Sequence, residues 1–197
     1  GIEKNIQAFE ENTGHELIVV ATRASDPYPG AVWRGGALLG ITLAAIFFHY
    51  YELASHEWEI PLTGLCALSL AIVLKQTGLH KYFLFPGEAA RETSEKAAQI
   101  FSQFQSKAIG HEASILLFFS MDERKIHLLV DGELNQKLSQ TDLNVVVAEL
   151  IPHFKQKNFG AGIEVSVTNL EKRILEKVGK RATSSGNKVP NRVFWID

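Results

Sequence analysis

The chain has 197 residues, of which 46% are hydrophobic and 21% are charged, and its formal net charge is −2 at pH 7. This length suffices for one domain of about 100 to 150 residues with a buried core and an insertion. The nearly balanced charge excludes a global field that would steer the protein to nucleic acid, so we expect no nucleic-acid partner. Cys66 is the only cysteine, which excludes an internal disulfide and a paired-cysteine metal or redox site.

The first 30 residues predict one helix and one buried strand. Ile2, Ile6 and Phe9 recur at helical spacing, and Gly14 stands where a helix C-cap is expected. The β-branched run over residues 16–23 is typical of a strand buried on both faces. The cluster SDPYPG then predicts a turn, because its prolines and glycine disfavour both helix and strand.

Two uncharged stretches follow, at residues 35–51 and 60–74. Neither has a polar face, and a helix that is apolar all round lies either in the centre of a large protein or in lipid. Extended through flanking Trp and Tyr residues, both reach a membrane-spanning length. We therefore predict a transmembrane hairpin rather than a buried core hairpin. Gly36 and Gly40 form a GxxxG spacing, which indicates either close helix contact or coincidence.

The flanking charges predict an orientation. Arg34 precedes the first stretch, and Lys75 and Lys81 follow the second, whereas the connector HYYELASHEWEIP holds three glutamates and no lysine or arginine. The positive-inside rule then gives a multi-pass membrane protein with two helices and its domain on the cytoplasmic side. The lipid bilayer is the first expected partner.

The second half returns to a soluble α/β pattern. It predicts a helix at residues 88–108 and then two strands, at residues 113–120 and 125–130, that are joined by a polar turn. It also predicts a helix at residues 143–154, capped by Ser139 or Thr141, and a last helix at residues 159–179. The chain thus has a first part of the domain at residues 1–30 and an inserted hairpin at residues 31–85. The second part of the domain follows at residues 86–179, and a flexible basic tail at residues 180–197.

One segment carries a resemblance to a known family. The stretch IPHFKQKNFGAGIEVSVTNLEKRI is similar to the closing signature of the TPM domain, through the residues Ile151, Pro152, Phe154, Lys155, Phe159, Gly160, Gly162 and Ile163. The opening IQAFEENTGHELIVV also resembles the family's first helix and strand, and the stretch ILLFFSMDERKIHLLVDGEL resembles its central hairpin. The resemblance covers nearly the whole chain outside the apolar hairpin and the tail.

The resemblance implies a small α/β/α sandwich, here with an inserted two-helix transmembrane hairpin. It also implies either a role in assembly or repair of membrane complexes or a phosphatase activity. Family members commonly have an Asp-Asn-Gly turn before the second strand, where this chain has His111 and Glu112, and a Gly-x-Gly after the third strand, where it has only Gly132. Both departures lie in loops near the implied phosphatase or metal site.

Three carboxylates form a candidate metal site. If the first two strands run parallel, Asp26 after one, and Asp122 and Glu123 after the other, project from the edge of the sheet where open α/β sheets bind ligands. Oxygen ligands of this kind suit Ca²⁺ or Mg²⁺. The alternative is that they are turn residues, since Asp favours turns through its own hydrogen bonds.

The remaining polar motifs are more economically explained by structure. The two glycines of FGAGIEV could bind a phosphate through backbone N–H groups, but we favour a role in helix packing. His49, Glu52, His56 and Glu57 match no closed metal site. The sequence therefore supports two functions: a membrane-anchored module that binds or assembles another membrane protein, and, as the alternative, a divalent-metal-dependent phosphatase.

Overall fold

A computed structural model describes residues 1–51, 56–107, 114–156, 158–180 and 192–196. They form a mixed α/β fold with two compact units. The first unit comprises Gly1–Ser25 and Glu92–Asp197, and the second comprises Asp26–Arg91.

The described residues form seven helices and four strands. The helices are α1 (Ile2–Thr13), α2 (Pro29–Tyr50), α3 (Glu59–Thr77), α4 (Glu88–Lys107), α5 (Gly132–Lys137), α6 (Gln140–Lys155) and α7 (Phe159–Lys177). The strands are β1 (Glu16–Thr22), β2 (Ser114–Ser120), β3 (Lys125–Val130) and β4 (Val193–Ile196). Short 3-10 turns lie at His56–Trp58 and Leu79–Phe83.

The four strands form one mixed sheet in the order β3-β2-β1-β4. β1 runs parallel to β2, with Thr22 opposite Ser120, and β2 runs antiparallel to β3. The predicted parallel pairing of the first two strands is therefore confirmed. As a consequence, the carboxyl ends of β1 and β2 lie side by side at the same end of the sheet.

Helices cover both faces of the sheet. On one face, alternate residues of β1 such as Leu17 and Val19 pack in a large core with residues of α1, α5, α6 and α7. On the other face, Ile18 and Val20 pack with residues of α4, including Ile100. Successive residues of a strand point to opposite faces of the sheet. Because helices cover both faces here, the successive central residues of β1 are all apolar, which explains its continuous β-branched run.

The C-terminal segment differs from the sequence prediction. The sequence predicts a flexible tail at residues 180–197, whereas Val193–Ile196 form β4, which pairs in parallel with residues 19–22 of β1. Phe194 packs against Phe104 of α4, with ring centroids 5.4 Å apart. The physical reason is that β1 offers an unpaired edge beside the core, and β4 satisfies its backbone groups.

Helices α2 and α3 of the second unit form an antiparallel hairpin. A Cβ atom placed on Gly36 would lie 2.6 Å from Ala71 Cβ, and one on Gly40 would lie 2.4 Å from Ala67 Cα. The two helices therefore approach each other closely at the GxxxG spacing. The glycine pair is a packing motif and not a coincidence.

The outer faces of the hairpin are apolar and exposed. Ile60 is 84% exposed, and the other large apolar side chains exposed on these helices include Leu38, Ile41, Leu43, Ile46, Leu65, Leu68, Ile72 and Val73. Only Ala71 and Leu74 of α3 are buried. Helices of a soluble core would have most of these side chains covered by protein. By length and composition, both α2 and α3 could cross a membrane.

A polar cluster holds the base of the hairpin. The Arg34 guanidinium pairs with Glu88 at 2.6 Å, donates to the Phe83 carbonyl and lies over the Phe85 ring. The Phe85 backbone N–H lowers the pKa of Glu88 from its ordinary value, and Arg34 lowers it further. The charged form of Glu88 is thus favoured where the chain leaves the apolar helices.

Helices α6 and α7 pack closely in the first unit. Ser139 is the N-cap of α6 and forms a capping box with Asp142, which confirms Ser139 over Thr141. A Cβ atom on Gly162 would lie 2.9 Å from His153 Cβ, whereas one on Gly160 would meet nothing within 4 Å. Gly162 is therefore a packing residue between the two helices.

Asp142 also anchors α7. The Lys177 ammonium lies 2.7 Å from both carboxylate oxygens, and Arg173 lies 3.5 Å away. Lys177 and then Ser139 hold the pKa of Asp142 well below its ordinary value of 3.8. A carboxyl pKa that is lower in the folded state stabilises the fold above pH 3.8, and the contribution is lost as the pH falls through the folded-state pKa.

We therefore expect Asp142→Asn to lower the melting temperature at neutral pH by several degrees. The difference from the parent protein should shrink as the pH falls below 3.8, the ordinary pKa of this carboxyl. Thermal unfolding followed by circular dichroism over a pH series measures it. Glu176→Gln is the control, because its pair with Lys172 is exposed and 3.9 Å long and contributes little. A difference that stays constant into strong acid would contradict the role of Asp142.

Candidate binding site

The last turn of α6 and the first turn of α7 lie at the surface, and we call these two turns the α6–α7 connection. Pro152 lies in the last turn of α6, which ends at Lys155, and the Asn158 N–H donates to the His153 carbonyl at 3.0 Å. α7 then begins at Phe159, and no side chain caps its first turn. Pro152 has no N–H to donate to the preceding turn, and its position in the last turn limits this loss to the end of the helix.

Aromatic side chains lead from the sheet to the surface at this connection. The ring of Phe154 stacks on the buried Phe119 of β2 with centroids 4.7 Å apart and planes 15° apart. Phe159 meets Phe154 edge to face at 4.8 Å and is 37% exposed. The stack fixes the connection against the carboxyl end of β2.

The turn between β2 and β3 lies at the same end of the sheet. The Met121 and Asp122 N–H groups donate to the carbonyls of Thr22 and Arg23, so the turn is tied to the residues that follow β1. Arg124 closes the turn with φ of 53°, a left-handed conformation that is costly for a residue with a side chain. The turn thus has a defined shape despite its exposure.

The turn and the connection enclose a cavity of about 440 Å³. Its apolar wall consists of Met121, Ile126, Ile151, Phe154 and Phe159, and its polar lining consists of Ser120, Arg124 and Lys155. No acidic residue is among these lining residues. An apolar cavity with a few convergent polar groups is typical of a ligand-binding site.

The cavity has two cations, Arg124 and Lys155. Among the residues that the structure describes, neither Arg124 nor Lys155 forms an ion pair. Both side chains are exposed at the surface. The cavity therefore combines an apolar interior with positive charge at its rim.

The three predicted metal ligands belong to different parts of the fold. Asp122 and Glu123 lie in the turn between β2 and β3, in the first unit, whereas Asp26 belongs to the second unit. The Asp26 carboxylate accepts a hydrogen bond from the Tyr28 N–H at 2.6 Å, which is the hydrogen bonding of an Asp in a turn. Each carboxylate is described within its own unit, and the joint site stays a prediction.

Glu123 joins the turn to the residues after β1. Its carboxylate accepts hydrogen bonds from the Ser25 N–H at 3.0 Å and from the Ser120 hydroxyl, while the Ser25 hydroxyl donates to Ser120 at 2.9 Å. Ser120 is buried. Both oxygens of Glu123 therefore hold neighbouring backbone and side chains in place.

In the described ranges, no group of three or more His, Cys, Asp or Glu side chains is arranged to hold a metal ion. The prediction of Ca²⁺ or Mg²⁺ binding has no further support from this geometry. His111 and Glu112, which replace the family's Asp-Asn-Gly turn, lie outside the described residues, as does Glu52 of the hairpin connector.

His127 has a structural environment. Its Nε2 atom lies 2.9 Å from the hydroxyl of the buried Thr93 of α4, and its ring lies near Phe118. Burial lowers the pKa of His127, and Lys125 lowers it further. These contacts join β3 to α4 across one face of the sheet, and they explain a lone histidine without a ligand.

Sequence reasoning did not find the cavity. The signature segment marks Ile151, Phe154, Lys155 and Phe159, which is the signal that could have indicated it. Arg124 comes from a turn about 30 residues earlier and has no local pattern that links it to Lys155. Tertiary packing brings both residues to the lining of one cavity.

Comparisons with known proteins bear on the fold and the family. The TPM domain model matches residues 71–173, just over half of the chain. The fold is similar to the NMR structure of the BA42 protein from the psychrophilic bacterium Bizionia argentinensis, with 11% sequence identity, a TM-score of 0.58, and coverage of 98% of this chain and 89% of that one. No curated protein matches in a sequence search. The chain belongs to the TPM domain family.

Proposed function

We propose that this protein is a membrane-anchored TPM domain that serves as an interaction or assembly module for another membrane protein. The observation that carries the proposal is the outward apolar surface of α2 and α3. In water, such a surface would be an unusually large exposed hydrophobic patch, whereas in lipid it is the expected exterior of a helical hairpin.

Helix lengths and aromatic positions support the anchoring. At about 1.5 Å per residue, the 22 residues of α2 extend about 33 Å, close to the hydrocarbon thickness of a bilayer. Trp33 and Tyr82 are exposed near one end of the hairpin, and Tyr50, Tyr51 and Trp58 near the other. Tryptophan and tyrosine are enriched at the two membrane interfaces.

The charges at the hairpin's ends support a cytoplasmic domain. Arg34 lies near the start of α2, Lys75 lies in the last turn of α3, and Lys81 lies in the 3-10 turn that follows. The opposite end carries Glu57 and Glu59. Because short cytoplasmic flanks are enriched in lysine and arginine, we assign the start of α2 and the end of α3 to the cytoplasmic side and the connector to the opposite side.

The cavity supports the interaction part of the proposal. Its wall is aromatic and aliphatic, with Ile151 43% exposed beside the 37% exposed Phe159. Aromatic residues, methionine and arginine are enriched in protein interfaces, and Phe159, Met121 and Arg124 supply all three. A partner that covered these side chains would remove apolar surface from water.

The alternative is a divalent-metal-dependent phosphatase at the carboxylate edge. It is favoured by the parallel pairing of β1 and β2, since their carboxyl ends are where open α/β sheets bind ligands. Hydrolysis of a phosphomonoester by the purified protein, lost on chelation and in Asp122→Asn, would support this alternative.

The topology gives the test of the main proposal. In a Cys66→Ser background, we expect Tyr50→Cys to react with a membrane-impermeant maleimide on intact cells and Ser94→Cys to react only after permeabilisation. Both parent side chains are exposed, so access depends on the membrane and not on burial. Labelling of both positions from the same side would refute the spanning hairpin. Extraction of the protein by alkaline carbonate would refute anchoring.

A further inference from the structure

We propose that the cavity between the β2–β3 turn and the α6–α7 connection binds a peptide segment of the partner in which carboxylates flank a bulky apolar side chain. This inference deepens the proposed interaction function and rests on it. It names the chemistry by which the partner is recognised.

The charge at the rim selects an anion. Arg124 and Lys155 both line the cavity, and among the described residues no acidic side chain lines it and neither cation has an ion pair. The first turn of α7 adds positive potential, because its N–H groups begin at Phe159 without a side-chain cap. A carboxylate that meets either cation would make charge-assisted hydrogen bonds.

The wall selects an apolar group beside that anion. Phe154 and Phe159 present aromatic surface to the cavity, and Ile151 and Met121 continue it. An inorganic anion would leave this wall in contact with water, so charge alone does not satisfy the site. A volume of about 440 Å³ lies in the range of ligand-binding pockets and admits a large side chain together with its neighbours.

The exposure of the rim favours a peptide over a small metabolite. Ile151 and Phe159 remain substantially exposed around the opening, where an enclosed metabolite would not cover them. A peptide continues beyond the cavity on both sides and covers such a rim. Buried aromatic and arginine anchors surrounded by a water-excluding rim are the usual arrangement of a protein interface.

The substitution that removes the charge of Arg124 has to suit its backbone conformation. Its φ of 53° is a conformation that glycine adopts without strain, so Arg124→Gly removes the guanidinium while the turn is kept. Lys155→Gln removes the second charge with little change of length. Lys172→Gln is the control, because Lys172 is a well-exposed cation of α7 that does not line the cavity.

The test uses the full chain in nanodiscs of neutral phosphatidylcholine and fluorescence anisotropy of three labelled peptides. The first has the core Asp-Phe-Asp, the second Asn-Phe-Asn, and the third Asp-Ser-Asp. We expect the first to bind best and the other two to bind at least about tenfold more weakly, because each lacks one of the two recognised groups. Equal binding of all three would overturn the proposal.

The variants assign the binding to the cavity. Arg124→Gly and Lys155→Gln should each weaken binding of the Asp-Phe-Asp peptide by about tenfold, and Lys172→Gln should leave it unchanged. Lys155→Glu should weaken it further and improve binding of a Lys-Phe-Lys peptide. Unchanged binding in Lys155→Gln would overturn the proposal even if Arg124→Gly failed to fold.

Two other results would overturn it in favour of another ligand. One is hydrolysis of 4-nitrophenyl phosphate that requires Arg124, which would assign the cavity to phosphate esters. The other is binding to vesicles of anionic phosphatidylglycerol that requires Arg124 and Lys155, without peptide binding. Anchoring is tested separately by carbonate extraction: loss of peptide binding with intact anchoring refutes this inference alone, and binding without anchoring refutes only the membrane role.

Discussion

Replacement of Gly40 by leucine should separate α2 from α3 while each helix remains helical. Gly40 faces the backbone of α3, and a Cβ atom there would lie 2.4 Å from Ala67 Cα and 2.6 Å from Ala67 N. Backbone atoms cannot move aside as the end of a flexible side chain can. The whole of α3 must therefore shift to admit the leucine side chain.

The expected cost is large because close approach is what holds such a hairpin together. In the proposed membrane-spanning hairpin there is no hydrophobic driving force between the helices, so van der Waals packing at small residues dominates. Overpacking of a tight contact costs about 1 to 3 kcal/mol, and a clash with backbone belongs at the upper end. We expect the leucine variant to lose the regular hairpin and to unfold at lower temperature in the bilayer.

Spin-label distances measure this directly. Nitroxides at Leu38→Cys and Leu68→Cys, in a Cys66→Ser background, lie on exposed faces of the two helices. Their mean separation should increase and its distribution broaden in Gly40→Leu. Gly64→Leu is the matched control, since a Cβ atom on Gly64 of α3 meets nothing within 4 Å. An unchanged distance in Gly40→Leu would mean that the helices do not meet at these glycines.

The sequence predicts most of the regular elements because their signals are local. The β-branched run of β1 gives a strand buried on both faces, and the two runs around the turn MDER give β2 and β3 nearly to the residue. The capping box that begins α6 is likewise contained in four consecutive residues, from Ser139 to Asp142. Apolar spacing and caps are read within one or two helical turns.

The tail and the cavity could not be predicted in the same way. Val193–Ile196 are four residues whose pairing partner, β1, lies about 170 residues earlier, and a run this short has no periodicity of its own. The cavity depends on Arg124 and Lys155, which come from different elements. The sequence predicts the Glu123 carboxylate as a metal ligand. The structure adds the hydrogen bonds that this carboxylate accepts from Ser25 and Ser120, which no spacing rule indicates.

Removal of residues 26–91 should convert the protein into a water-soluble domain. All four strands and every residue of the two hydrophobic cores belong to the first unit, which comprises residues 1–25 and 92–197. The second unit supplies none of these core residues but carries the exposed apolar faces of α2 and α3. We therefore expect the shortened chain to leave the membrane fraction and to fold cooperatively without detergent.

The replacement needs a flexible linker between Ser25 and Glu92. About 12 glycine and serine residues reach up to about 40 Å, and the entropic cost of closing such a loop grows only slowly with its length. Ultracentrifugation, thermal unfolding and binding of the Asp-Phe-Asp peptide are then compared with the full chain in nanodiscs. We expect equal peptide affinity, because Arg124, Lys155 and the aromatic wall all lie in the retained unit.

The parent chain without detergent is the control, and its exposed hairpin should make it aggregate. A shortened chain that is insoluble, or that unfolds without a cooperative transition, would show that the hairpin completes the core instead of anchoring it. A soluble and folded chain that no longer binds the peptide would show that residues 26–91 are not needed for folding. It would also show that part of the peptide-binding surface lies in residues 26–91.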